Sequence, residues 1–423
     1  MAASGRGQRF EMTGEFRSYE VYQRMRLRDT TELMKPKQLS SEAYLLDPYP
    51  LVAILRENYP CYRDWPGNAF WVTRYDDVTS VFVDEANFGS RTKLWSYARV
   101  GFGSDLGREI SVEWAWANLV DSACVDLTEE MIGTLIKQGS TDLAIDFCAR
   151  FPLELLLRVF DVPGADADEF LRNYLIMQRG VGFEPVARDA GVQAMDALTR
   201  YFDSIVRRGV AGQDTVSAMI GLGATGSDIV TTLLEFDHQT LHGAMANLWF
   251  LMLTQPAQFA LVRDNPRLMK SAYLEALRHS PPVISADRFA RHEVERFGRL
   301  LPDGALVRCC AAAANRDPRV FDDPERFHIE RLDLTQREPR GMYRADGLPS
   351  GISFATGPPS RHPAVPEDRP RSCYAITRDL AVIASSLLLE AFPGIRLAEG
   401  AAPVLRSLRI GEMHTCWSLP VVW

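Results

Sequence analysis

The sequence predicts a mostly helical protein carrying small β-sheets, and three stretches carry that expectation. Leu241, Met245, Leu248, Trp249, Met252 and Leu253 recur at three- and four-residue intervals, which draws one apolar stripe along a helix. Gln255-Pro256 closes that helix. A second helical pattern runs over about 265–279 and stops at Ser280-Pro281-Pro282, because proline removes a donor and pushes the preceding residue out of the helical region. Two short runs rich in strand formers, 294–301 and 305–310, bracket Pro302-Asp303-Gly304, so a hairpin turning at that triplet is expected. A last helix is expected over about 375–391, with Phe392-Pro393-Gly394 as its stop.

At 423 residues and 46% hydrophobic content the chain can bury one large core or two modest ones. Proline and glycine are scattered and no composition break marks a linker. The expected organisation is an irregular extension over 1–44 followed by a single domain over 45–423. No internal repeat or low-complexity tract is visible. A net charge of −8 argues against general affinity for nucleic acid or an anionic membrane, both of which need a basic surface. The first residues lack the apolar stretch of a secretory signal, and no run is long enough to span a bilayer. A soluble, cytoplasmic protein acting on small molecules is the expectation.

Seven cysteines, an odd number without CxxC spacing, describe neither a disulfide framework nor a zinc site. Cys309 and Cys310 lie in an apolar run and read as buried structural thiols. The cysteine left for chemistry is Cys373.

The pair Glu275 and Arg278 stands three residues apart inside the 265–279 helix, so carboxylate and guanidinium share one face. Flanked by Leu274 and Leu277, the pair is placed for an internal clamp gripping loop backbone rather than for solvent. Upstream lies Thr240 in the long apolar helix. Downstream come Arg288, Pro302-Asp303-Gly304, Ala314-Asn315-Arg316-Asp317-Pro318, Phe321 and Pro324-Glu325-Arg326-Phe327. In that order and at those intervals the segment resembles the cytochrome P450 superfamily, the haem-thiolate monooxygenases. Asp47-Pro48-Tyr49-Pro50, Trp71-Val72-Thr73-Arg74-Tyr75 and Phe88-Gly89-Ser90-Arg91 extend the resemblance toward the N-terminus. It implies a P450-like fold, haem with an axial cysteine thiolate as metal ligand, a small-molecule substrate and a ferredoxin-type electron donor.

Position by position, the resemblance assigns Arg288 to a haem propionate and Thr240 to the hydroxyl that manages protons around oxygen, with Glu275 and Arg278 as the structural clamp. Several positions depart from the family. Gln239 stands where an acid usually precedes the threonine, and an amide cannot relay a proton. Asp237 replaces a glycine; it either fills the space beside the helix or supplies a replacement acid, with His238 and Glu235 nearby. On the helix over 112–124, Glu113 and Ala117 occupy the positions of a histidine and an arginine that face propionates, with Trp114 and Trp116 beside them.

The cysteine loop departs most. Phe354-Ala355-Thr356-Gly357 opens the family's pattern, but counting forward from it puts Arg361 at the cysteine's place. Counting back from Phe392-Pro393 puts Arg371 there. Cys373 serves if a Pro-rich insertion over 358–370 loops out and the last helix begins earlier. Arg371 then stands two residues before it as the basic partner. A thiolate at that helix start is favoured by the dipole and the unpaired N–H groups, and by Arg369, Arg371 and Arg378.

Two readings follow. The first is a bacterial-type haem-thiolate monooxygenase acting on a small apolar or natural-product substrate, with atypical oxygen or peroxide chemistry in view of Gln239. The second is a haemless, inactive relative that acts as partner or activator of another enzyme. Substrate contacts are expected from 94–107, 179–185 and 233–236, with Trp95, Tyr97 and Phe102 lining an apolar pocket.

Overall fold

The computed structural model describes residues 38–91, 93, 97, 113–181, 185–209, 215–236, 238–336, 348–353, 373–408 and 413–423, with backbone alone for 113–122 and for Cys373. The fold is mostly helical with four small sheets among the described residues. It divides into two units that interleave along the chain. One comprises Met1–Ser90, Gly243–Ala364 and Glu399–Pro420; the other comprises Arg91–His242, Val365–Ala398 and Val421–Trp423. Each unit takes three stretches, so no single cut of the sequence separates them, which is why no linker composition appears. Most of the N-terminal 1–44 extension lies outside the described residues.

The first unit is built on a five-stranded mixed sheet in the order Tyr62–Asp64, Ala69–Val72, Leu306–Cys310, Ser285–Ala290, Phe88–Gly89. Ala69–Val72 runs parallel to Leu306–Cys310, and the other neighbours are antiparallel. Leu39, Tyr44, Val52, Leu55, Trp71 and Ile284 form a core against this sheet. Its apolar strands explain the early sequence matches at 69–75 and 88–91.

The expected hairpin is corrected here. Val294–Arg296 pairs with Arg299–Leu301 around Phe297 and Gly298, both with positive φ (56° and 70°). Two consecutive left-handed residues make a turn whose twist matches a two-residue hairpin. Pro302-Asp303-Gly304 instead leads into Leu306–Cys310, which pairs with strands on either side and not with Arg299–Leu301. Phe297 in a left-handed conformation is a poor sequence signal, and the Pro-Asp-Gly triplet was the louder one.

The helix Met269–His279 follows a short 3-10 turn, Pro266–Leu268. Its inward face is buried from Tyr273 to Arg278. The helix His238–Thr254 ends where Gln255 leaves the helical region and Pro256 opens the next helix, Pro256–Asp264. Within the first unit Gly243 lets that helix approach Pro282: a Cβ there would fall 2.5 Å from the proline's own Cβ.

The second unit is helical. Glu113–Leu135 packs on the last helix, Cys373–Ala391, and Ala167–Arg179 packs on Pro185–Arg208. The helix Gly226–Glu235 opens on a reciprocal cap: Thr225 accepts from the Asp228 N–H, and the Asp228 carboxylate accepts from the Thr225 N–H. A small sheet orders Ser140–Asp142, Pro420–Val422 and Arg396–Leu397. The last helix is described from Cys373 onward and so reaches back at least two residues beyond the sequence expectation; Tyr374, Ala375 and Ile376 in it are buried.

Candidate functional site

Glu275 and Arg278 meet inside the first unit with both side chains fully buried. Arg278 donates to the Glu275 carboxylate through Nε at 2.7 Å and Nη2 at 2.8 Å. Its remaining donors reach loop carbonyls: Asn315 at 2.9 Å, Pro324 at 2.8 Å and Arg326 at 3.0 Å. Glu275 also accepts the His328 N–H at 2.9 Å and lies 3.0 Å from Arg331 Nε. A planar guanidinium with five donors is matched to this task, since it binds one carboxylate with two prongs while still gripping backbone. Phe321 lies beneath both arginines, 5.4 Å and 5.9 Å from the guanidinium carbons. Arg331, half of a second ion pair with Asp333, carries no pattern that sequence reading could have used.

Arg288 lies on Ser285–Ala290, opposite Val307. It is half-buried, its guanidinium carbon 4.6 Å above the Phe82 ring, with Nη1 donating to the Asp287 carbonyl. Burial pulls its pKa below the usual arginine value while Cys309 and Asp287 act in the opposite sense. The neighbouring carboxylate Asp287 is taken by Arg308 in a two-pronged pair at 2.8 and 3.0 Å.

In the second unit, the helix carrying Thr240 is not continuous with the one before it. Gly226–Glu235 ends at Phe236, which is extended (φ −61°, ψ 130°), and the next helix begins at His238. Thr240 lies in that helix, His238–Thr254, as expected, and is buried, whereas Gln239 beside it is exposed. Asp237 lies outside the described residues. Around the interruption, Gln178 Nε2 donates to the carbonyls of Leu234 at 2.9 Å and Phe236 at 3.2 Å. Lys93 Nζ and Tyr174 Oη each donate to the Phe236 carbonyl at 3.2 Å. Tyr174 Oη also lies 2.9 Å from His238 Nδ1. Lys93, Tyr174 and Gln178 were not singled out from sequence, where nothing distinguishes them from other polar helix residues.

Cys373 lies in the last helix of the same unit. The other six cysteines are free and buried, and burial pushes the Cys309 and Cys310 thiols up to about 12. Cys124 donates its thiol to the Leu380 carbonyl. Arg378, expected to favour a Cys373 thiolate, is engaged by Asp379 at 2.7 Å, so much of its charge is spent locally. Arg371, Arg369, Phe354–Gly357 and the 358–370 insertion lie outside the described residues, as do Trp95 and Phe102. The side chains of Glu113, Trp114, Trp116 and Ala117 do so too.

These elements have counterparts in known proteins. The family model described as Cytochrome P450 matches residues 263–345, which contain the clamp, Arg288 and the loop that Arg278 grips. Cytochrome P450 107B1 of Saccharopolyspora erythraea is 27% identical over 370 residues, covering 78% of this chain and 84% of that protein. The 6-deoxyerythronolide B hydroxylase of the same organism is 26% identical over 363 residues, covering 76% of this chain and 86% of that protein. Among solved structures, CalO2 superposes with a TM-score of 0.69 at 23% identity, over 91% of this chain and 98% of the other. Over most of its length the chain is similar to cytochrome P450s, and it has their fold.

The likeness to P450s implies haem. Of the residues that would hold it, Cys373 lies in the described part of the last helix, and a cysteine thiolate is a donor that haem iron takes. Arg288 supplies a half-buried cation of the kind a propionate requires. The P450 positions occupied by Glu113 and Ala117 contribute no cation of their own.

Proposed function

We propose that this protein is a haem-thiolate monooxygenase in which Cys373 would hold the haem iron. The observation that carries the reading is the burial of the other six cysteines, beside a last helix whose described part includes Cys373. Bound haem would supply oxygen activation, placing one oxygen atom in the substrate and releasing the other as water at the expense of two electrons and two protons.

The chain's own residues then divide the remaining work. The Cys373 thiol would give up its proton to hold the iron. Arg288 and Arg371 would offer cations, the first to a propionate and the second two residues before the thiolate. Thr240 would offer a buried hydroxyl to manage protons around oxygen. Gln239, neutral and exposed, carries no proton toward it, so delivery falls to Asp237 or to water, and peroxide-driven chemistry fits the same arrangement. Glu275 and Arg278 keep the 315–328 loop in place. The proposed substrate is a small apolar natural product, supported by the hydroxylase names among the relatives. The proposed electron donor is a ferredoxin-type protein, and the proposed setting is the cytoplasm. No described helix is long and apolar enough to cross a membrane.

The test is the visible spectrum of the purified, reduced protein under carbon monoxide, for the wild type and Cys373→Ala. A Soret band at the thiolate position that is lost in the variant is the expected result. A folded wild type with no haem absorption, or a variant with an unchanged spectrum, would overturn the assignment.

A further inference from the structure

A cavity of about 670 Å³ opens within the first unit, lined by none of the residues assigned above to haem or oxygen. Its apolar walls come from Leu46, Pro50, Phe250, Leu251 and Leu405, and both the volume and the mostly apolar lining suit a small-molecule site. Tyr49, His279, Arg316 and His414 form its polar side. His414 is placed there by the hairpin of Val404–Ser407 and His414–Ser418. Leu405 lies opposite Cys416 and Ser407 opposite His414, so Leu405 and His414 share one face of the ribbon. The backbone of His414 is held on both sides: its N–H donates to the Pro282 carbonyl at 2.8 Å, and its carbonyl accepts from Asn247 Nδ2 at 2.9 Å.

Charge is already balanced on that side. The buried Arg316 donates to the His279 carbonyl through Nε at 3.0 Å and Nη2 at 2.8 Å, and to the Glu325 carboxylate through Nη1 at 2.6 Å. Its guanidinium carbon lies 3.3 Å from the centre of the Tyr49 ring. His279 Nε2 lies 3.0 Å from the Glu325 carbonyl and Nδ1 2.9 Å from Ser280 Oγ, so both of its nitrogens are in use. Burial, with Arg316 next, lowers the pKa of each histidine, His414 to about 4. Both rings are therefore neutral at pH 7. His414 differs in having a nitrogen to spare. It is 2% exposed, and among the described residues its ring has one hydrogen-bonding partner, Ser407 Oγ at 3.5 Å from Nδ1. Nε2 is left for a ligand.

We propose that this cavity is a small-molecule site separate from the haem chemistry, and that it takes a neutral, largely apolar alcohol whose hydroxyl pairs with His414 Nε2. A hydroxyl both donates and accepts, so it meets Nε2 in either tautomer of the ring. An anion would find Arg316 already matched by Glu325, with the exposed carboxylates of Asp47 and Glu325 against it. A cation would be brought beside buried Arg316. Either charge would lose its water without gaining a free partner. The apolar walls take the body of the molecule. The inference does not rest on the monooxygenase reading and stands whether or not haem binds.

The experiment is backbone hydrogen exchange of the full-length protein, read by mass spectrometry on a peptide spanning 46–55 while 1-decanol is titrated. Decanoate and decylammonium share the tail and serve as charged comparators. Exchange in the peptide is expected to slow about threefold at saturating 1-decanol, with both charged molecules about tenfold weaker. Thr254 lines the cavity from an exposed position, so Thr254→Trp fills space there without disturbing the core and should abolish the protection. His414→Phe keeps a ring beside Tyr49 and loses both nitrogens; its 1-decanol midpoint should rise about tenfold. No protection of the peptide in the wild type, protection unchanged in Thr254→Trp, or a charged comparator binding as tightly as the alcohol would overturn the proposal. An unchanged midpoint in a folded His414→Phe would refute the pairing with Nε2. If His414→Phe does not fold, Thr254→Trp and the three head groups decide.

Discussion

The clamp around Arg278 and the interruption before His238 solve the same problem by opposite means. Both place side-chain donors on backbone carbonyls. At the clamp a single guanidinium, neutralised by a carboxylate one turn away, serves three carbonyls of one loop. At the interruption three side chains from two separate stretches serve the carbonyls of Leu233, Leu234 and Phe236. The clamp is buried charge, which tolerates no missing partner. The second arrangement is mostly neutral hydrogen bonding, in which each member carries less.

That contrast can be broken most forcefully at Arg278. Arg278→Ala leaves Glu275 buried with Arg331 as its remaining cation and three loop carbonyls without this donor, and removing one partner of a buried pair costs about 3–5 kcal/mol. Chemical denaturation should show that loss, or the variant should fail to accumulate as folded protein. A change below about 1 kcal/mol would mean that the clamp is replaceable.

Acid offers a second probe, because each unit holds a buried neutral histidine. His242 is lowered to about 4 by burial; His414 is lowered to about 4 by burial and, secondarily, by Arg316. With folded values below the ordinary 6.5, the unfolded chain binds protons first as pH falls. Stability is therefore full above about 6.5 and drains away as pH drops toward about 4, on the order of 3 kcal/mol for each histidine. Thermal midpoints measured across that window should fall in the wild type and fall less in His242→Leu. Parallel curves for the two would show that His242 is not the group being titrated.

The gentlest probe is the cap that starts the helix leading into the interruption. Thr225→Ala removes the oxygen that accepts the Asp228 N–H and should cost about 1 kcal/mol. Equilibrium unfolding reads it directly. A loss as large as that of Arg278→Ala would place the interruption under the same strict control as the clamp and erase the contrast.

How legible the molecule is from sequence follows the reach of each interaction. Glu275 and Arg278 are visible because the two partners lie within one helical turn. The carbonyls they serve, at Asn315, Pro324 and Arg326, are invisible as such, because a backbone oxygen has no residue type. The hairpin was assigned to the Pro-Asp-Gly triplet because turn chemistry is read from residue preferences, and a left-handed Phe297 goes against them. Cys373 was left as the chemical cysteine by spacing and elimination, but where its helix begins could not be counted across an insertion of uncertain register.

The sequence by itself determined the helical character, the clamp pair and several of the sheet strands. These rest on periodicity and on contacts a few residues apart, which the order of side chains encodes locally. The tertiary structure decided that the helix before Thr240 opens, that Arg331 completes the clamp and that Gln178, Tyr174 and Lys93 gather on one carbonyl. Those outcomes depend on donors up to 143 residues from their acceptors, and a donor's identity says nothing about which distant backbone it will reach until the chain has folded around it.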